Sequence, residues 1–229
     1  MSSDSERGVA PDGCPVRVYL LVPGDEEAAI IDRAIQPGTA ILELGCGVGR
    51  MSRHLVQHGH AITGVDNSDA MLAHFESIDG TDAILADIAT LDLAPRTWPV
   101  VLLASHFVND VRGDTFLAVA AAHVAADGCV IIQRYAPDWV NTVGPSRRDR
   151  PSLRSEIHSI ERAAPGTMRA TIVYEIDDDR YEQTFTAYDV DDERLETMAA
   201  AAGLTVDAVL DDDRLWVRLK PRSPGSHSS

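Results

Sequence analysis

The chain alternates short apolar runs with stretches of helical periodicity, and this rhythm limits its fold more than any other feature does. Residues 40–44, 61–65, 83–86, 100–104 and 129–133 are short and mostly apolar. Residues 25–35, 48–58, 68–76 and 113–125 instead carry apolar side chains at three-to-four spacing. Parallel strands buried on both faces read as near-continuous apolar runs, and their crossover helices cover those faces. The pattern predicts an α/β chain with a Rossmann-like, doubly wound, mostly parallel sheet. Asn67 and Ser68 offer cap side chains to the third helix, and Asp127-Gly128 makes a turn into the fifth strand.

After about residue 165 the rhythm changes. Residues 167–176 and 180–187 are rich in β-branched and aromatic side chains around Asp177, Asp178 and Asp179, which predicts a hairpin. A helix over 191–202 and strands near 204–210 and 214–219 follow, so antiparallel strands are expected at one end of the sheet. Residues 1–13 and 221–229 are rich in Ser, Gly, Pro and charge and are expected to be disordered tails. That leaves one domain over 14–220.

With 36 acidic side chains against 20 Lys and Arg, the 229-residue chain has a formal net charge of −16. Nucleic-acid phosphates and anionic membrane surfaces would repel it, so neither is an expected partner. No apolar run approaches the roughly 18 residues of a membrane span, and Asp4, Glu6 and Arg7 do not form a leader pattern, which predicts a cytoplasmic protein. Cys14, Cys46 and Cys129 lack metal-knuckle spacing, so neither a disulfide framework nor a metal site is expected. Lys220 is the only lysine, a bias that reads as GC-rich, bacterial coding. Monomer and homodimer fit the sequence equally.

Chemistry concentrates where the first strand turns into a helix, in the E-x-G-x-G-x-G segment from Glu43 through Gly45, Gly47 and Gly49. Glycine there allows positive φ and lets a ligand approach the backbone. A dinucleotide fingerprint would need G-x-G-x-x-G, and Arg50 stands at its last position, which counts against a nicotinamide-dependent oxidoreductase. Glu43 would sit badly beside a pyrophosphate, yet it can accept bonds from a cationic amine or hold the loop in shape. A ligand with a positive end is favoured. Asp66 ends the second predicted strand and Asp87 follows the third.

With these three motifs in register, the chain resembles the class I S-adenosylmethionine-dependent methyltransferases over nearly all of residues 25–219. The resemblance implies that Gly45, Cys46, Gly47 and Gly49 cup the methionine end and ribose of S-adenosyl-L-methionine, with Cys46 as a small filler. It implies that Asp66 binds both ribose hydroxyls, since a carboxylate can accept two O–H bonds from a vicinal diol. Asn67 and Met71 belong to the same motif. Asp87 would take the adenine amino group and the backbone of Ile88 a ring nitrogen, while Ser105 at the exit of strand four would face the cofactor.

Ligands of open α/β sheets bind beyond the carboxyl ends of the strands, so the acceptor is expected beside His106 and Asn109. A neutral imidazole at His106 would serve as a general base toward a hydroxyl or amine. This exit lacks the Asn/Asp-Pro-Pro-aromatic signature of amino-methylating enzymes of nucleic acids and glutamine side chains, in keeping with the charge balance. Trp98-Pro99 stands where family members often have an Asp. Beyond strand five, Arg134, Tyr135 and Trp139 combine a cation with two aromatics, suited to clamping a flat or anionic small molecule. Tyr19 would close over the methionine end or the acceptor. The expectation is in-line methyl transfer to a small-molecule acceptor, with a non-catalytic cofactor-binding protein, or other chemistry on the same cofactor, as alternatives.

Overall fold

The computed structural model describes residues 8–11 and 13–222, so the expected tails of 1–7 and 223–229, together with residue 12, lie outside the described residues. In chain order come α1 (Val16–Leu21), α2 (Asp25–Ala34), β1 (Ala40–Leu44), α3 (Ser52–Gln57), β2 (Ala61–Asp66), α4 (Asp69–Phe75), β3 (Thr81–Leu85) and β4 (Trp98–Leu103). Next are α5 (Gly113–His123), β5 (Val124–Gln133), α6 (Trp139–Thr142), β6 (Ser146–Arg150), β7 (Leu153–Ala164), β8 (Thr167–Ile176) and β9 (Asp179–Tyr188). The chain returns through α7 (Asp192–Ala201), β10 (Leu204–Val209) and β11 (Trp216–Pro221).

The main sheet has the order β3-β2-β1-β4-β5-β11-β10, with the first five strands parallel and the last two antiparallel. Both of its faces are covered, as the apolar runs require. Leu42, Leu44, Val101 and Leu103 pack under Phe116, Leu117 and Ala120 of α5 and Leu195 and Met198 of α7. Their strand neighbours Ile41, Val100 and Leu102 face the other way, toward Ala28 and Ile31 of α2, Leu55 of α3 and Leu72 and Phe75 of α4. Ser68 caps α4 by accepting from the Met71 amide at 3.3 Å, and Asp191 caps α7 through the Arg194 amide at 2.8 Å.

Two expectations need correction. The predicted hairpin of β8 and β9 does not extend the main sheet; with β6 and β7 it forms a separate four-stranded antiparallel sheet, in the order β6-β7-β8-β9. The sequence hid β6 and β7 because their charged, mostly exposed residues lack strict alternation. The tail boundary also shifts: Ala10 is buried, its amide donates to the Cys14 carbonyl at 2.8 Å, and the Val16 amide donates to Gly8 at 3.0 Å. At the other end Pro221 closes β11 and the Arg222 amide donates to Gly203 at 2.9 Å.

The second sheet roofs the carboxyl ends of β4 and β5. Met168, Ala170 and Ala187 pack with Val140 and Trp139, and Leu153 and Ile176 pack with Val18 of α1. Asn109 pins the roof: its amide nitrogen donates to the Tyr188 carbonyl at 2.8 Å and its oxygen accepts from the Tyr135 amide at 3.0 Å. Arg134, fully buried, donates to the carbonyls of Arg214 (3.2 Å) and Val190 (2.9 Å) and to Asp192 (2.6 Å). It thus joins the end of β5 to the start of α7 and the turn before β11. Neither residue is free to grip an acceptor, as the sequence suggested; both hold the site's frame. Arg134→Met would strand the buried Val190 carbonyl and the partly buried Arg214 carbonyl, and we expect a loss of about 2–4 kcal/mol in denaturant unfolding with cofactor affinity little changed.

Candidate active site

The turn leaving β1 is fixed from below: the Gly45 and Cys46 amides donate to the Val65 carbonyl at 2.7 and 3.0 Å. Gly45, Gly47 and Gly49 all have positive φ, at 75°, 54° and 74°. A Cβ at Gly45 would lie 2.1 Å from the Phe107 ring, and one at Gly49 would lie 2.5 Å from Ile78, so packing alone demands glycine there. At Gly47 a Cβ would meet only the Met71 sulfur, at 4.0 Å. The bare backbone of Gly47 therefore faces a hollow that a ligand can fill.

Asp66 braces this loop, its carboxylate accepting from the Gly47 amide and the Ser68 amide, each at 2.9 Å. A carboxylate offers about four acceptor sites, more than these two amides take, which suits it to a diol. Asn67 is exposed beside it, and Met71 is buried under the loop with Val48, Cys14 and Val16. Asp87 caps a 3₁₀ turn through the Ala89 amide at 2.8 Å and remains open to solvent, while the Ile88 side chain is in the core.

Glu43 does not stand open to a ligand. It is buried, and its carboxylate accepts from the Ser52 hydroxyl at the start of α3. Burial raises its pKa to about 7; Ser52 and the Arg50 charge oppose that shift, and Asp66 and Glu27 add to it. Of the two roles the sequence allowed, bracing the loop is the one the contacts support. Cys46 is likewise buried, its thiol pushed up mainly by desolvation.

At the exit of β4, Ser105 and His106 both adopt left-handed conformations, with φ of 53° and 60°. Each costs about 1–2 kcal/mol, a kind of strain that clusters at functional sites. The Ser105 amide donates to Gln133 at 2.9 Å, Gln133 donates to Glu27 at 3.3 Å, and Glu27 forms a close ion pair with Arg50. Arg50 entered the sequence argument only as a misfit to the dinucleotide fingerprint. Its partner Glu27 lies over twenty positions upstream, a pairing no local pattern announces.

The His106 ring stacks on Tyr135 with centroids 4.0 Å apart and planes at 13°, and Tyr135 stacks on Trp139 at 4.1 Å and 14°. The sequence named all three for the acceptor, and the fold brings them into one platform. Burial lowers the His106 pKa to about 4, opposed by the Arg134 carbonyl and helped slightly by the Arg50 charge, and Nδ1 is buried with no hydrogen-bond partner. Tyr19 lies in α1, its hydroxyl 3.4 Å from the Cys14 sulfur, and lines a cavity of about 210 Å³ with Pro23, Gly24, Arg50, Arg53 and His54.

Residues 41–128, the segment that contains the glycine loop, Asp66, Asp87 and His106, match the family described as Methyltransferase domain. Over this segment the chain is similar to methyltransferases, and its fold is that of S-adenosylmethionine-dependent ones. Among its relatives is a dTDP-3-amino-3,6-dideoxy-alpha-D-glucopyranose N,N-dimethyltransferase of Streptomyces fradiae, 24% identical over 77% of this chain and 80% of the relative. The fold is shared with the CcbJ methyltransferase of Streptomyces caelestis (18% identity, TM-score 0.75, 94% of this chain and 99% of that one). It is shared too with the amino pentose methyltransferase CalS10 of Micromonospora echinaspora, solved with S-adenosylmethionine bound (20% identity, TM-score 0.69, 89% and 93%).

The residues of this site fit that cofactor: a side chain at Gly47 would meet open space, and a carboxylate such as Asp66 has more acceptor sites than the two amides take. Two glycine variants separate binding from folding. Gly47→Ala should abolish detectable S-adenosylhomocysteine binding in calorimetry while costing only about 1–2 kcal/mol of stability. Gly49→Ala should lower the unfolding midpoint far more, because Ile78 and Phe75 must move. The raised pKa of Glu43 contributes stability that is complete below pH 4.5 and lost as pH rises toward 7, since the unfolded chain releases this proton first. Glu43→Gln should remove that decline, read as the difference between wild-type and variant unfolding curves from pH 4.5 to 7.5.

Proposed function

We propose that this methyltransferase transfers a methyl group from S-adenosyl-L-methionine to the amine nitrogen of a small acceptor, an amino sugar. The observation that carries the reading is the His106–Tyr135–Trp139 stack, an uncharged aromatic platform at the carboxyl ends of β4 and β5. Aromatic faces suit the apolar C–H face of a sugar ring, and the relatives include sugar and amino pentose methyltransferases. S-adenosylmethionine supplies an electrophilic methyl on a sulfonium that already carries the leaving group's charge. The protein's share is therefore alignment and exclusion of water.

Gly45, Gly47, Gly49, Asp66 and Asp87, with Cys46, Asn67, Met71, the Ile88 backbone and Ser105 around them, form the donor side. Tyr19, the ring platform and the inner face of the second sheet form the acceptor side. With a pKa near 4, His106 is a poor proton store at neutral pH, which narrows the general-base role to that of an orienting acceptor. Its imidazole accepts an N–H bond from the amine and holds the nitrogen lone pair in line, while the displaced proton leaves to water. The rival of a binding protein without chemistry has less support, because it gives no reason for the strain at Ser105 and His106. Among the described residues no helix is long and apolar enough to cross a membrane. Three free cysteines, the arginine-rich composition and the Streptomyces relative support a bacterial, cytoplasmic setting.

The test is methyl transfer to amino sugars against their hydroxyl counterparts, followed by mass spectrometry. Mono- and dimethylated amine is expected, and methylation of the hydroxyl sugar alone would overturn the reading. His106→Phe keeps the stack and removes the nitrogens; kcat should fall about tenfold with S-adenosylmethionine affinity unchanged.

A further inference from the structure

Along β5 alternate side chains face α2 and α3, and there Cys129 and Ile131 pack in one apolar layer with Ala28 and Ile31. Gln133 continues the same column, a buried amide where an apolar side chain would complete the packing. A buried polar group is costly unless it is bonded, so its partners show what it is there for. The Gln133 oxygen accepts from the Ser105 amide at 2.9 Å, and its nitrogen donates to Glu27 at 3.3 Å. Glu27, in the first turn of α2, also receives Arg50, which donates in addition to the Pro23 carbonyl at 3.2 Å.

The order of these groups is chemically fixed. A backbone amide only donates, and a carboxylate paired with a guanidinium only accepts, so the side chain between them must offer one acceptor and one donor. Glutamine does both; methionine of similar length does neither, and an ionised glutamate lacks the donor. At one end the network holds a backbone that needs holding. Ser105 and His106 are consecutive left-handed residues with Cβ atoms, a conformation that persists only where the surroundings fix it. The second of them carries the ring that stacks on Tyr135. At the other end Arg50 follows Gly49 directly. Three side chains, Arg50, Glu27 and Gln133, therefore tie the glycine loop to the turn that aims the imidazole.

We propose that Gln133 is a positioning residue for methyl transfer: through the Ser105 turn it sets where the His106 imidazole stands relative to the glycine loop. This rests on the orienting role given to His106 above and deepens it, because the accuracy of that orientation is then set by a side chain that touches neither donor nor acceptor.

Gln133→Met keeps the volume and removes both bonds. It should lower kcat about tenfold, while S-adenosylhomocysteine affinity in calorimetry and KM for the methyl donor stay within about twofold of wild type. In the His106→Phe background the same change should cost no more than about twofold further, because the group it positions is gone. Losses that multiply to about a hundredfold would overturn the proposal, as would cofactor affinity falling in step with kcat. A second measurement needs no turnover. In protein carrying isotope-labelled histidine, the His106 ring resonance is identified by its loss in His106→Phe and lies upfield because Tyr135 stacks on it. Gln133→Met should move it back toward the position of a free imidazole, and an unmoved resonance would overturn the proposal. If only hydroxyl sugars are methylated, the amine reading falls, and the same cycle run on that acceptor, together with the resonance, still decides the role of Gln133.

Discussion

Burial of the central strands on both faces is the constraint from which the rest of the structure follows. β1 and β4 send alternate side chains into two separate apolar layers, so neither face has room for polar chemistry. Polar and strained groups are displaced to the carboxyl ends of the strands. There the backbone leaves the sheet, and Gly45, Asp66, Ser105 and His106 all gather. The same burial explains Glu43, which is carried inward by β1 and retained only because Ser52 meets it.

The second sheet converts an open edge into a cleft. It is not a continuation of the main sheet but a roof, held by Asn109 from below and by α1 from the side, where Arg17 pairs with Asp177 and Asp179. Arg134 is the hinge of this arrangement in a static sense. One planar group satisfies three acceptors on two chain segments far from it in sequence, a job suited to guanidinium geometry.

Electrostatics in the cleft is uneven. The protein as a whole is strongly acidic, yet its carboxylates near the loop are engaged: Asp66 by two amides, Glu27 by Arg50, Glu43 by burial and Ser52. The acids beside the loop are bonded within the protein, and burial holds the His106 imidazole neutral at neutral pH.

The sequence by itself determined the parallel sheet, the glycine loop and the placement of Asp66 and Asp87. Each is written in local spacing: apolar runs, glycines at a turn, an acid at a strand end. It also named His106, Tyr135 and Trp139, since they follow strand ends directly. Only the tertiary structure decided that these three rings stack, and that Asn109 and Arg134 are frame rather than clamp. It also decided that Glu27 and Gln133 reach the loop and that β6 and β7 build the roof. Those outcomes depend on partners dozens of residues away and on which side of a strand faces inward. Composition and short-range periodicity do not encode such contacts; they arise when the packed layers bring distant segments together.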